Sequence, residues 1–240
     1  MTNLQVITAT CVRCRSEFCY ETSPPGGSFQ ITRHLCDECD AAVTVERDAQ
    51  DAAEALQRAR EERNVPRRYW RATFDNFDAV TLGQKDALKC CRDEALNGVF
   101  LYGPPGCGKT HLAAASILAG PAGSLFVGTT ELINDIKAGF DRGGRRLLER
   151  AHNAPLLAID DLGVEAVTDF VRDRMYDLLN FRWNTGGPIV VTTNCSPGEI
   201  GGRIGEGARS RLVGLCASRV DVRGTDRRKS ASARIPGLEE

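Results

Sequence analysis

Gly103-Pro104-Pro105-Gly106-Cys107-Gly108-Lys109-Thr110 matches the phosphate-loop pattern G-x-x-x-x-G-K-[ST] at every fixed position, and its flanks decide how it is read. Val99-Phe100-Leu101-Tyr102 before it is a short β-prone apolar run, and His111-Leu112-Ala113-Ala114-Ala115 after it opens a helix. A strand–loop–helix context separates a phosphate cradle from a glycine turn with a chance lysine. Glycines let successive backbone N–H groups wrap a phosphate at the helix N-terminus, where orphan donors and the helix dipole favour an anion. Lys109 then reaches the β- and γ-phosphates, Thr110 ligates magnesium, and residues 103 to 110 with His111 form the nucleotide-binding set.

Downstream, short apolar runs alternate with helical stretches: Leu125-Phe126-Val127, a helix over 131 to 150, Leu156 to Ile159, a helix over 170 to 183, then Ile189 to Thr192. This order predicts an α/β fold with a parallel sheet and crossover helices. Leu156-Leu157-Ala158-Ile159-Asp160-Asp161 places two carboxylates at the C-terminal tip of a buried strand, where ligands sit in open α/β sheets. One can hold magnesium and its neighbour can orient or deprotonate an attacking water. Ile189-Val190-Val191-Thr192-Thr193-Asn194 ends in an amide at a further strand tip, and Asn194 is placed to position water against a γ-phosphate.

The N-terminal part is organised differently. Cys11-Val12-Arg13-Cys14 and Cys36-Asp37-Glu38-Cys39 are two C-x-x-C knuckles separated by 21 residues, slightly longer than but close to the spacing of a four-cysteine zinc site. So short a segment cannot bury enough apolar surface to fold alone, so zinc would supply its folding energy. Cys19 and His34 stay outside the ligand set. From about 40 to 64 the chain lacks proline and glycine, and Val45, Ala49, Ala52, Leu56 and Ala59 form a narrow seam, expected to pack on the zinc module itself. Pro66 stops that helix, giving a domain boundary of 1–65 and 66–240. The aromatic stretch 68 to 77 reads as an irregular arm leading into the core.

Composition limits the alternatives. The 240 residues are 42% hydrophobic, enough for one medium domain and one small one. No apolar run approaches the roughly 18 residues of a membrane span, and the N-terminus lacks a signal-peptide pattern, so no membrane partner and a cytoplasmic location are expected. The formal charge of −1 hides an acidic N-terminal part and a basic C-terminal part. Of the ten cysteines, Cys90, Cys91, Cys107, Cys195 and Cys216 read as small buried hydrophobes.

Phosphate loop, Asp160-Asp161 strand and Thr192-Thr193-Asn194 strand, in this order, resemble the AAA+ ATPases. Tyr102 to Ala113, Ala158 to Gly163 and Val190 to Asn194 look like the DnaC/DnaI-type helicase loaders and their relatives, the IstB-type transposition helpers. The resemblance covers about residues 66 to 230. It implies an AAA+ core with a five-stranded parallel sheet and, since little sequence follows Arg228, a reduced or absent helical lid. It implies ATP and ADP as ligands, Asp160 as magnesium ligand, Asp161 as the acidic residue that polarises water, and Asn194 as the strand-tip sensor. Arg211, with Arg209 second, falls where the family has the arginine finger that reaches a neighbouring subunit's nucleotide. Arg228, in Gly224-Thr225-Asp226-Arg227-Arg228, falls at the second sensor.

The implied partners are a hexameric replicative helicase, gripped by the zinc module, and single-stranded DNA, with self-association or a partner-templated oligomer completing the site. A basic group, Lys137, Arg142, Arg145, Arg146 and Arg150, lies where loaders face DNA. A transposase partner, or a zinc-containing adaptor that binds nucleotide without turnover, are the alternative readings.

Overall fold

The structure, a computed structural model, describes residues 5–22, 33–93, 98–138, 146–163 and 168–227, with the Arg146 side chain left aside. The chain divides into two compact units, Met1–Arg58 and Ala59–Glu240.

In the first unit β1 (Gln5–Thr10) and β2 (Glu17–Thr22) pair antiparallel, Gln5 opposite Thr22 and Thr10 opposite Glu17. The hairpin turn carries the first cysteine pair. The second pair sits at the start of α1 (Asp37–Glu62), which opens with Asp37, Glu38 and Asp40 against the helix dipole. The seam of α1 does not pack on this module, contrary to expectation: none of its residues is buried, and Val45 and Leu56 are 67% and 51% exposed. Length explains it. A 26-residue helix reaches about 39 Å, whereas six-residue strands span about 20 Å and β1 itself is almost wholly exposed.

The second unit is built on a five-stranded, all-parallel sheet: β3 (Val99–Tyr102), β4 (Leu125–Gly128), β5 (Leu157–Asp160), β6 (Ile189–Thr193) and β7 (Ser218–Asp221), in the spatial order β4-β5-β6-β3-β7. Alternate residues feed two cores. Phe100, Leu125, Val127, Leu157, Ile159, Ile189 and Val191 point to one face, Val99, Leu101, Phe126, Ala158 and Val190 to the other. Burial on both faces is why these strands read as unbroken apolar runs.

The first face is covered by α4 (Thr129–Ala138), α5 (Arg146–Asn153), α6 (Asp169–Thr185), α7 (Ile200–Ile204) and α8 (Glu206–Leu215). The single helix expected over 131 to 150 is thus two elements, with 139 to 145 outside the described residues; Arg142 and Arg145 fall there. The second face is covered by the aromatic arm, α2 (Leu82–Arg92) and α3 (Lys109–Ala119). The arm is not merely superficial: Ala72 and Phe77 are buried, and Tyr69, Trp70 and Phe74 pack beside them.

Two arginines act as helix stoppers. Arg63 donates to the carbonyls of Ile117, Leu118, Gly120 and Pro121, capping the C-terminus of α3. Arg182, fully buried, donates to Ala151, His152, Ala154 and Pro188, and burial pulls its guanidinium down to about 10. The exposed edge of β4 is closed by Arg63 and Asn64: the Phe126 N–H donates to the Arg63 carbonyl at 2.8 Å, and Asn64 Nδ2 to the Phe126 carbonyl at 3.1 Å.

Candidate nucleotide site

The loop Gly103–Gly108 leaves the C-terminal end of β3, next to the tips of β6 and β7. Gly108 is the N-cap of α3 at φ 101°, and no side chain caps the helix, so its first amides remain available to an anion. A Cβ at Gly108 would meet the Phe77 ring at 2.5 Å, and one at Gly106 would run into the Asp226 carboxylate. Only glycine fits between the loop and what covers it.

Lys109 is buried and its ammonium donates to the carbonyls of Gly103 and Pro104, both at 2.8 Å, and to Asn194 Oδ1 at 2.9 Å. Cys107 is wholly buried and donates its thiol to the Pro104 carbonyl, so it shapes the loop from within. His111 packs on the aromatic arm: its Nε2 lies 3.0 Å from the Thr73 carbonyl and its ring centre 5.5 Å from that of Phe77. Burial, with Arg227 nearby, lowers its basicity.

Asp160 ends β5 with its carboxyl between Thr192, whose hydroxyl donates to Oδ1 at 2.5 Å, and the Thr110 hydroxyl. Burial raises its proton affinity and the two hydroxyls oppose that rise; Asp161 adds to it and Lys109 subtracts. Asp161 stands in the left-handed region at φ 55°, tolerated by aspartate, and its carboxylate is exposed. Lys109, Thr110, Asp160, Asp161 and Asn194 therefore converge on one end of the sheet from three strands. The set fits a magnesium nucleotide: uncapped helix amides, a lysine, a threonine and a carboxylate that shares hydroxyl donors.

Among the arginines, Arg209 is engaged within its own helix neighbourhood, donating to Glu206 at 3.1 Å and to the Pro197 carbonyl at 3.3 Å. Arg211, two residues on in α8, has a buried Nε without a hydrogen-bond partner and makes no ion pair among the described residues. Arg228 lies outside the described residues. Its neighbour Arg227 stacks on Phe77 with its guanidinium carbon 4.5 Å from the ring centre, donates to the Asp78 carbonyl, and through its amide to the Gly106 carbonyl at 3.1 Å. Of the basic group, Arg150 is spent on the Glu62 carbonyl.

Gln84 stands outside the loop, carboxylate and amide motifs. This residue is buried in α2; its Oε1 accepts from the amides of Val80 and Thr81, and its Nε2 donates to the Cys107 carbonyl at 3.2 Å. It ties the start of α2 to the phosphate loop. Thr81-Leu82-Gly83-Gln84 carries the capping-box pattern that could have found it.

In the first unit the four sulfurs of Cys11, Cys14, Cys36 and Cys39 lie within 4.8 Å of one another, Cys14 and Cys36 at 3.6 Å. Tetrahedral zinc at a bond length of about 2.3 Å puts sulfurs about 3.8 Å apart, so the cluster fits the ion. The Cys14 and Cys36 amides, in that order, pull the Cys11 thiol down to about 6, while hydrogen bonding to Cys36 and burial push Cys39 up to about 12. Four crowded thiols cannot all ionise without a cation to hold them.

A P-loop after β3, paired carboxylates at the tip of β5 and an asparagine just past the end of β6, the strand between them, define an ATP-binding protein of the AAA+ class. The family model for IstB-like ATP binding proteins matches residues 70–212, more than half of the chain. The chain belongs to that family, whose relatives include the DnaC helicase loaders. It is 34% identical over 139 residues to an ATP-binding protein in an insertion sequence of Mycobacterium tuberculosis, covering 52% of this chain and 54% of that one. It is 26% identical over 152 residues to the replicative helicase loader DnaC of Escherichia coli, covering 58% and 62%. The chain thus spans little more than half the length of these relatives. A solved structure of the DnaC helicase loader superposes with a TM-score of 0.57 at 27% identity, over 65% of this chain and 100% of that one. No helix among the described residues is long and apolar enough to cross a membrane.

Proposed function

We propose that this protein is an ATP-driven loader of a hexameric replicative helicase, in which nucleotide state governs the grip on helicase and single-stranded DNA and hydrolysis releases it. The observation that carries this reading is the likeness to the DnaC helicase loader over the whole of that solved chain, together with a cysteine module ahead of it suited to holding a partner. Lys109 exchanges its contact with Asn194 for the β- and γ-phosphates, and the α3 amides hold the phosphate chain. Magnesium, held by Thr110 and Asp160, would neutralise charge on the phosphate oxygens. Asp161 polarises the attacking water and Asn194 orients it; the shorter reach of aspartate than glutamate makes turnover slow. Arg211 is the finger offered to a neighbouring copy, since Arg209 is tied to Glu206; Arg228 is the second sensor. Cys11, Cys14, Cys36 and Cys39 would hold a zinc ion, which would supply the folding energy of the partner-binding module.

A second reading assigns the same ATPase to a transposase, and the insertion-sequence relative favours it. Affinity capture with the full chain in ATP and in ADP tells them apart. A replicative helicase recovered with wild type and lost on Cys36→Ser supports the loader; a transposase recovered in its place overturns it.

A further inference from the structure

Between Asp160 and Asp161 on one strand and Asn194 on the next lies Thr192, a fully buried residue to which neither the loop motif nor the carboxylate pair assigns work. Its hydroxyl makes two bonds at once: it donates to Asp160 Oδ1 at 2.5 Å and accepts the Asp161 amide at 2.9 Å. The hydroxyl has one proton, and with the Asp161 amide on its lone pair that proton is committed to Asp160. Around it, the Leu162 amide donates to the Thr192 carbonyl at 2.8 Å, and the Thr193 hydroxyl to the Leu162 carbonyl at 2.5 Å. The segment that carries both carboxylates is thereby fastened to β6, the strand that Asn194 directly follows.

We infer that Thr192 is a positioning residue for the metal site: it turns the second oxygen of Asp160 toward the cation held with Thr110, and it holds the left-handed turn that aims Asp161 out of the sheet. A buried hydroxyl that merely satisfied a carboxylate would need only the first bond. The second bond reaches the one strained backbone position of the site, Asp161 at φ 55°. A valine, equal in shape, would leave the Asp161 amide and an Asp160 oxygen without partners inside the protein. The inference rests on the nucleotide reading above.

The test is a magnesium titration of a fluorescent ADP analogue bound to the full-length protein, with binding in EDTA as the control. Thr192→Val should raise the magnesium concentration at half-saturation about 10-fold, the usual effect of losing a group that orients a metal ligand, while metal-free binding stays as in wild type. Thr192→Ser should restore the wild-type midpoint. Thr192→Cys, which keeps the small volume but donates weakly, should follow valine, and it serves alone if the valine variant does not fold. A wild-type midpoint in the variants without a hydroxyl, or an equal shift in the serine variant, overturns the inference. Absence of ADP binding, or of any magnesium dependence, in the wild type would instead strike the nucleotide reading beneath it.

Discussion

The Lys109 ammonium and the Asn194 side-chain oxygen lie 2.9 Å apart, joining the phosphate loop to a strand tip 85 residues later in the chain. An anion in the loop competes with Asn194 for this lysine, so the residue that would sense a γ-phosphate is also the one that holds the cation meant for it. Asn194→Ala should leave nucleotide binding nearly unchanged and reduce hydrolysis on the order of 100-fold, as for other single polar groups that act on the transition state. Asn194→Asp should be worse in binding, because a carboxylate there pairs with Lys109 and repels the triphosphate. Equilibrium binding and turnover measured on both variants check the contrast.

Asp160 is kept in a buried place at a cost to stability. Burial raises its carboxyl above the ordinary range, so the charged form is disfavoured in the folded state. The sign follows: stability present at acid pH is lost as pH rises through the raised value. Asp160→Asn should therefore raise the unfolding temperature at neutral pH. The advantage should vanish at low pH, where the wild-type carboxyl is protonated. Magnesium-dependent nucleotide binding should be lost in the same variant. Scanning calorimetry across pH measures the first effect and magnesium titration the second.

The cysteine cluster should bind one zinc ion per chain, since four thiolates complete a tetrahedron. Metal analysis of the purified protein gives the stoichiometry. Cys36→Ser or Cys39→Ser should release the ion and expose the β1–β2 hairpin to proteolysis, while the Lys109-dependent nucleotide binding of the other unit persists. Full zinc content in either variant would remove that cysteine from the ligand set.

Gln84 couples folding and function through separate atoms. Gln84→Ala removes a capping acceptor and leaves the Cys107 carbonyl without its donor, which should cost about 1–3 kcal/mol and weaken nucleotide binding together. Leu82→Ala, two residues away and 75% exposed, should alter neither. Denaturant unfolding alongside nucleotide titration makes the comparison.

The sheet was legible because parallel strands buried on both faces read as apolar runs, and because Asp160 and Asn194 stand where such runs end. The strand β7 was not: Ser218-Arg219-Val220-Asp221 is an edge strand with a half-covered face, and polar residues hide its period. The hairpin β1–β2 was missed for the same reason, being exposed on nearly every residue. Arg63 and Arg182 act through backbone carbonyls, and Thr192 through Asp160 and the Asp161 amide brought close by the fold; no spacing in the chain announces such contacts. Only Gln84 left a local signature, the capping box that starts at Thr81.

A nucleotide held by Lys109 should be turned over, and that turnover should drive release of a partner. ATP hydrolysis by the full-length protein, alone and with single-stranded DNA, compared with Lys109→Ala and Arg211→Ala, measures it most directly. Slow hydrolysis is expected, raised by DNA, abolished by Lys109→Ala, and lowered by Arg211→Ala in a way that mixing with Lys109→Ala chains partly restores. Hydrolysis that is absent under every condition, or indifferent to Lys109, would overturn both ATPase readings and leave a zinc-containing adaptor in their place.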